Sequence, residues 1–157
     1  MSIPPFIVEL RKHIGTAELW LSGVTAVVTN TERTHVLLVK RSDNGQWTPI
    51  TGIIDPREQP AVTAMREAKE EANITIRIER LLGVDVVGPV AYDNGDTTSY
   101  LDIAFHATYR SGDPYPADGE NTEVKWFPVT DLPPLNNRFA GCVERALSDE
   151  ERAYFEI

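Results

Sequence analysis

Three glutamates stand close together in one short stretch of the sequence: Glu67, Glu70 and Glu71 fall within five residues. Like charges at helical spacing oppose helix formation by about 0.2–0.5 kcal/mol per pair, so the cluster needs a reason. Carboxylate oxygens are the ligands that hard cations such as Mg²⁺ and Mn²⁺ prefer, so a metal site is one interpretation. The alternative is a solvated helix face with Arg66 and Lys69 as counter-charges. The charges alone leave both interpretations open.

A helical pattern carries these glutamates. From Gln59 onward, small apolar residues recur at spacings of three and four, which predicts a helix with one narrow buried stripe. Pro60 suits its first turn, and Asn73 suits its end because asparagine tolerates the left-handed backbone conformation. At about 100° per residue the three glutamates cover an arc of about 100° beside the stripe, so we expect their carboxylates to converge on one point. The stripe consists of Ala61, Ala64, Met65, Ala68 and Ala72.

The elements around this helix are predicted from the same kind of pattern. Pro4-Pro5 opens a short amphipathic segment that Gly15 could end, which predicts a short helix with Phe6, Ile7, Leu10 and Ile14 as its apolar residues. Apolar and β-branched runs predict a strand pair and three later strands, and the tail predicts a final helix with an optional break near Ser148. This order is typical of a mixed α/β or α+β sandwich. The strands are predicted at 20–30, 36–41, 74–87, 98–109 and 123–129, and the final helix at 136–155.

Length, charge and cysteine content narrow the class of protein. A chain of 157 residues is expected to form one domain, residues 1–157, and its single cysteine, Cys142, has no intrachain disulfide partner. The net charge of −9 disfavours a nucleic-acid partner, which requires lysine and arginine, but allows a small phosphate-bearing substrate if a metal ion supplies positive charge. With no secretory signal and no run of about 18 apolar residues, we expect a cytoplasmic protein that does not bind membranes.

The segment 52–74 resembles the Nudix box, G-x5-E-x7-R-E-U-x-E-E-x-G-U, in which U is an aliphatic residue. Two positions depart from the pattern: Asn73 replaces the second glycine, and Thr51 replaces a preceding glycine whose carbonyl often helps to bind metal. The resemblance extends from about Trp20 to Leu135 and leaves residues 1–17 as a helical extension. The matching residues are Gly52, Glu58, Arg66, Glu67, Glu70, Glu71 and Ile74, with Ala68 at the first U position.

The resemblance implies a MutT-like Nudix hydrolase with an α/β/α sandwich built on a mixed β-sheet. Such enzymes use Mg²⁺, for which Mn²⁺ can substitute, to hydrolyse a nucleoside diphosphate linked to another moiety. Water attacks the phosphoric anhydride. The alternative is a Nudix-fold module that binds or senses a nucleotide without catalysis. All the box glutamates are retained here, which favours the hydrolase. The resemblance also leaves a homodimer open.

Individual roles follow from position in the box. Arg66 would orient the carboxylates, and Glu67 would be a metal ligand or the catalytic base. Glu58 would brace the junction between loop and helix, Asn73 would be structural, and Gly52 would lie against the substrate. The implied metal ligands are Glu67, Glu70, Glu71 and the backbone carbonyl of Thr51.

Other candidates rest on weaker grounds. In the loop before the last strand, Glu120 is the preferred extra ligand or base and Glu123 is second, with a solvated loop acid as the alternative. Arg41 could contact a phosphate or be a surface arginine, and Trp47 could stack on a base or belong to the core. Asp102 alternates with apolar neighbours, so it faces either solvent or the substrate cleft.

Overall fold

A mixed β-sheet with helices on both faces forms the fold, in a computed structural model that describes residues 3–157. Within that range, no helix is both long and apolar enough to cross a membrane. The first two residues of the predicted extension lie outside the described residues. The elements in chain order are α1 (Pro5–Ile14), β1 (Leu19–Thr29), β2 (His35–Arg41), β3 (Trp47–Thr48), β4 (Ile50–Ile53), α2 (Pro60–Ala72), β5 (Thr75–Ala91), β6 (Thr97–Ser111), β7 (Asn121–Pro128) and α3 (Asn137–Leu147).

Strand β1 is the centre of the sheet. Along one edge it pairs in parallel with β6, and along the other it pairs antiparallel with β4 and then with β2. Strand β5 lies outside β6, while β3 and β7 both pair with β2. This arrangement brings β4, which leads toward α2, next to the middle of the chain's most buried strand.

Alternating side chains divide the interior into two cores. In β2, Leu37 and Val39 pack in the core under α2, whereas Val36 and Leu38 pack in the core under α3. Neighbouring residues of a strand point to opposite faces, so the sheet separates the two helices. The α/β/α sandwich with a mixed sheet, predicted from the sequence, is therefore confirmed.

Three details differ from the sequence prediction. Met65 is 40% exposed, whereas Ala64, Ala68 and Ala72 of the predicted stripe are fully buried. The final helix ends at Leu147, and the chain beyond it runs to Tyr154, which pairs with Gly83 of β5. A side chain at Gly83 would place its Cβ 2.8 Å from the Tyr154 carbonyl oxygen, so glycine permits this contact. Short strands β3 and β4 were not predicted, since Pro49 interrupts their apolar pattern.

The end of α2 depends on Asn73, which adopts the left-handed conformation (φ 54°, ψ 34°) as predicted. Its side-chain amide donates to the Asp113 carbonyl at 3.2 Å and accepts from Lys69 Nζ at 2.7 Å. We expect Asn73→Gly to change the free energy of unfolding by less than about 1 kcal/mol, because glycine adopts this conformation without strain. Asn73→Ala should destabilise by about 1–2 kcal/mol. Urea denaturation of both variants checks this, and equal losses would contradict it.

Candidate active site

Arg66 donates hydrogen bonds to three glutamates of the site. Its guanidinium donates twice to Glu58 (Nε–Oε1 3.0 Å, Nη2–Oε2 2.9 Å), while Nη1 donates to Glu67 at 2.8 Å and to Glu70 at 3.1 Å. Glu58 also accepts from Thr63 Oγ1 at 2.8 Å. The bonds from Arg66 lower the pKa of Glu58 to about 2, so this carboxylate is ionised at any ordinary pH. Glu58 and Arg66 thus join the loop before α2 to the second turn of the helix.

Glu71 is the buried carboxylate of the site, and Glu67 is partly buried, with 14% of its side chain exposed. Glu71 is only 2% exposed, and Asn121 donates a long hydrogen bond to it, 3.4 Å from Nδ2 to Oε2. Burial raises the pKa of Glu67 to about 7. It also raises the pKa of Glu71, an effect that the charges of Glu67 and Glu120 increase. Burying ionised carboxylates costs several kcal/mol unless a cation compensates, so this pair has the donor chemistry of a site for a hard divalent cation.

The expected convergence of three carboxylates on one point is not found. Within residues 3–157 no three acidic, histidine or cysteine side chains form a group that could hold a metal ion. Glu70 is half exposed and, like Glu67, is bonded to Arg66, whereas Glu71 is buried beside Asn121. Like charges separate and pair with the nearest guanidinium, so Arg66 draws two of the three carboxylates toward itself. The carboxylates of Glu67 and Glu71, with Glu120 nearby, have the chemistry to bind a divalent cation.

Gly52 of β4 provides the space that the Glu67 carboxylate occupies. A Cβ at this position would lie 2.2 Å from Cγ and Cδ of Glu67. The backbone of Gly52 belongs to a regular strand and pairs with Val24, so glycine is required here for room rather than for an unusual φ. Thr51 precedes it in β4 and pairs with Thr25. The metal-binding role of the Thr51 carbonyl remains a prediction.

Arg41 and Glu120, from outside α2, approach the carboxylates of Glu67 and Glu71. The charge of Arg41 at the end of β2 acts on Glu71 and Glu120, while its side chain holds Asp43 through bonds of 3.0 and 2.7 Å. Glu120 lines, with Glu67 and Arg66, a cavity of about 190 Å³. The second candidate, Glu123, instead forms an ion pair with Lys40 at 2.8 Å. Of the two loop acids, Glu120 is therefore the one that the structure places beside the box.

Trp47 lies in the core under α3. Its ring packs edge-on against Phe127, with 4.8 Å between the ring centroids. It is not among the described residues that line the neighbouring cleft. This packing corresponds to the core alternative, and substrate stacking by Trp47 remains a prediction without structural support.

A cleft of about 310 Å³ beside β4 contains residues that the sequence did not single out, above all Arg138. Asp102 lines this cleft and is 6% exposed, which decides between its two predicted environments. It accepts hydrogen bonds from Thr25 Oγ1 at 2.9 Å and from Arg138 Nη1 at 2.9 Å. Arg138 follows the N-terminal cap of α3, but no sequence pattern relates position 138 to position 102. Only the docking of α3 on the sheet brings them together.

Comparison with known proteins decides the family. The family model described as the NUDIX domain matches residues 20–146, which is most of the chain. The protein belongs to the Nudix family. This confirms the family predicted from the box, and it places Glu67 and Glu71 within a Nudix domain. Helix α1 lies before the matched residues, as an extension of that domain.

Similar proteins include a human and a bacterial one. The human 8-oxo-dGDP phosphatase NUDT18 is 32% identical over 136 residues, which cover 83% of this Nudix chain and 37% of that protein. The NAD-capped RNA hydrolase NudC of Vibrio vulnificus is 30% identical over 126 residues, covering 79% and 44%. The chain thus spans less than half the length of the curated relatives it matches. An ADP-ribose pyrophosphatase from Streptococcus suis, 21% identical, shares the fold with a TM-score of 0.65 over 87% of this chain and 98% of its own.

Proposed function

We propose that this Nudix protein hydrolyses a phosphoric anhydride bond in a nucleoside diphosphate derivative, with Mg²⁺ as its cofactor and Mn²⁺ as a substitute. The observation that carries the proposal is a pair of carboxylates next to Gly52 and Arg66: Glu71 is buried and Glu67 is partly buried. The ligands we propose are Glu67, Glu70, Glu71 and the Thr51 carbonyl; Glu70, which is bonded to Arg66 in this structure, would turn toward the cation when it binds. A cation bound there would neutralise the charge of the diphosphate and make its phosphorus more electrophilic.

The side chains of the site supply the remaining parts of the reaction. Glu67 is proposed either as a metal ligand or as the base that accepts a proton from the attacking water, a role that a carboxylate next to a bound metal can take. Arg66 holds Glu67 in position through the 2.8 Å bond, and Glu58 in turn holds Arg66. Glu120 is the second candidate for the base because it lines the same cavity. Arg41, close enough for its charge to act on Glu71, is proposed to contact a phosphate.

The substrate class is tested by a panel of compounds. Relatives act, by their names, on an oxidised nucleoside diphosphate and on NAD-capped RNA. The net charge of −9 supports a small molecule rather than a nucleic-acid chain. Nucleoside di- and triphosphates, nucleotide sugars, dinucleotides and a NAD-capped RNA should be incubated with Mg²⁺ or Mn²⁺ and scored for phosphate or pyrophosphate release. We expect turnover of at least one small molecule. No turnover of any compound would instead support the binding module without catalysis.

A divalent cation is expected to stabilise the fold most at high pH. Without it, the pKa of Glu67 is about 7 in the folded state against an ordinary value of 4.5, so the folded protein binds more protons and loses stability as pH rises between these values. A bound cation removes that penalty. A concentration of Mg²⁺ or Mn²⁺ about a hundredfold above its dissociation constant at about pH 8 should raise the melting temperature there by about 5–10 °C. The same concentration should raise it by clearly less at about pH 5, where protons compete for the carboxylates. Thermal unfolding with added metal or with EDTA measures this.

The matched variants for the metal experiment are Glu71→Gln and Glu123→Gln. The first removes a buried candidate ligand, and the second removes a surface carboxylate that is bonded to Lys40. We expect Glu71→Gln to lose most of the metal-induced shift and Glu123→Gln to keep it. An unchanged shift in Glu71→Gln would show that the cation binds elsewhere. Light scattering on the same samples tests the predicted homodimer.

A further inference from the structure

Arg138 lies on the wall of the cleft with only part of its guanidinium engaged. Nη1 donates to Asp102 Oδ2 at 2.9 Å and to Thr25 Oγ1 at 3.1 Å. Within residues 3–157, Nε and Nη2 have no hydrogen-bond partner. Arg41 and Arg66 each hold a carboxylate with this same pair of nitrogens. Arg138 therefore has two parallel donors left for a ligand in the cleft.

The position of these donors is fixed by packing. Asp102 and Thr25, which hold Nη1, are 6% and 0% exposed, so they have little freedom to move. The guanidinium carbon lies over the ring of Phe139, 4.1 Å from the ring centroid. A planar group held in this way loses little conformational entropy when it binds a ligand. The donors are thus preorganised for a flat partner that lies in their plane.

Charge decides which kind of partner fits. The buried carboxylate of Asp102 already pairs with the positive charge of Arg138, and this weakens the attraction of the free donors for a second anion such as a phosphate. A neutral planar ring with two adjacent acceptor atoms is not disfavoured by the charge of Asp102 in this way. Among the nucleobases, guanine offers O6 and N7, and cytosine offers O2 and N3. Adenine places an amino group beside N7, and uracil places an N–H between its carbonyls, so neither satisfies both donors.

We infer that Arg138 is the specificity-determining residue of the cleft and selects a nucleobase with two adjacent acceptors in its plane, guanine or cytosine. The inference rests on the proposed function, because Arg41 and Gly52 of the proposed site also line this cleft, so a nucleotide bound there would have its base within reach of Arg138. Each correct bidentate contact discriminates by about 5- to 150-fold in binding. We therefore expect a preference of that size over adenine and uracil.

Binding of analogues that cannot be hydrolysed separates this inference from the proposed activity. Calorimetric titrations with the α,β-methylene analogues of GDP, CDP, ADP and UDP give four dissociation constants. We expect the guanine or the cytosine analogue to bind about 5- to 150-fold more tightly than the adenine and uracil analogues. This preference in a protein that hydrolyses nothing would refute the activity and keep the inference. Equal binding of all four, or no binding, would overturn the inference even in an active hydrolase.

Three variants test the residue itself. Arg138→Gln offers one donor and one acceptor, which match N6 and N7 of adenine, so the preference should shift toward the adenine analogue. Arg138→Lys keeps a positive charge beside Asp102 but lacks the two parallel donors, so the preference should fall below about threefold. Arg145→Gln is the control, because this second arginine of α3 stacks on Tyr154 and lies outside the cleft. An unchanged base preference in folded Arg138→Lys would overturn the inference.

Discussion

Replacing Glu70 and Glu71 together by glutamine is expected to lower metal-dependent diphosphate hydrolysis by about 10²- to 10⁴-fold. A bound metal contributes several kcal/mol to such a reaction, and each 1.4 kcal/mol corresponds to a tenfold change in rate. The single change Glu71→Gln should have the larger effect, because Glu71 is buried whereas Glu70 is half exposed. Initial rates on the best substrate of the panel, at saturating metal, measure the loss.

The stability of these variants separates catalysis from folding. Glutamine has the shape of glutamate without its charge, so in EDTA Glu71→Gln should unfold at the same temperature as the parent protein or higher. A variant that is equally stable but slow has lost chemistry rather than structure. Glu123→Gln serves as the control and should keep the parental rate, because its carboxylate pairs with Lys40. Hydrolysis at the parental rate by the double variant would refute the assignment of the site.

The second large effect is expected from Gly52→Ala. One methyl group at this position would lie 2.2 Å from Cγ and Cδ of Glu67, a separation that atoms do not tolerate. The Glu67 side chain must then move. A displacement of about 1 Å in a catalytic group can cost about 10²-fold in rate, and forcing an extra methyl into a packed site costs about 1–3 kcal/mol. We therefore expect kcat/KM to fall by about 10²-fold with a modest loss of stability.

Two further variants make this result specific. Gly141→Ala adds the same methyl group in α3, where its nearest neighbour is Arg145 Nη2 at 3.6 Å, and it should stabilise that helix by about 0.5–1 kcal/mol without affecting the rate. The double variant Gly52→Ala, Glu67→Ala removes the crowded side chain. Its stability should recover relative to Gly52→Ala while activity stays low, since the two sites are coupled. Parental activity in Gly52→Ala would show that the Glu67 carboxylate need not lie where the structure places it.

The local elements of the site were predictable because their geometry follows from short stretches of chain. The apolar spacing of α2 and the left-handed Asn73 depend on neighbours within a few residues, and both agree with the structure. The break near Ser148 agrees with the end of α3, whereas burial of Met65 and helix after that break were wrong for a complementary reason. In each case the outcome depends on what packs against the segment, as with the tail that leaves α3 to pair with Gly83.

The spacing of Gly52, Glu58, Arg66 and the three glutamates by itself determined the family, since a loop and a helix place residues at fixed offsets in similar positions whatever surrounds them. Only the tertiary structure decided which carboxylates are buried and which of them Arg66 holds. It also decided the contact between Asp102 and Arg138, which are joined by the pairing of β6 with β1 and the docking of α3. The burial and the charge environment of a side chain depend on contacts with segments that are distant in the sequence. A local sequence pattern does not show which distant segments come into contact.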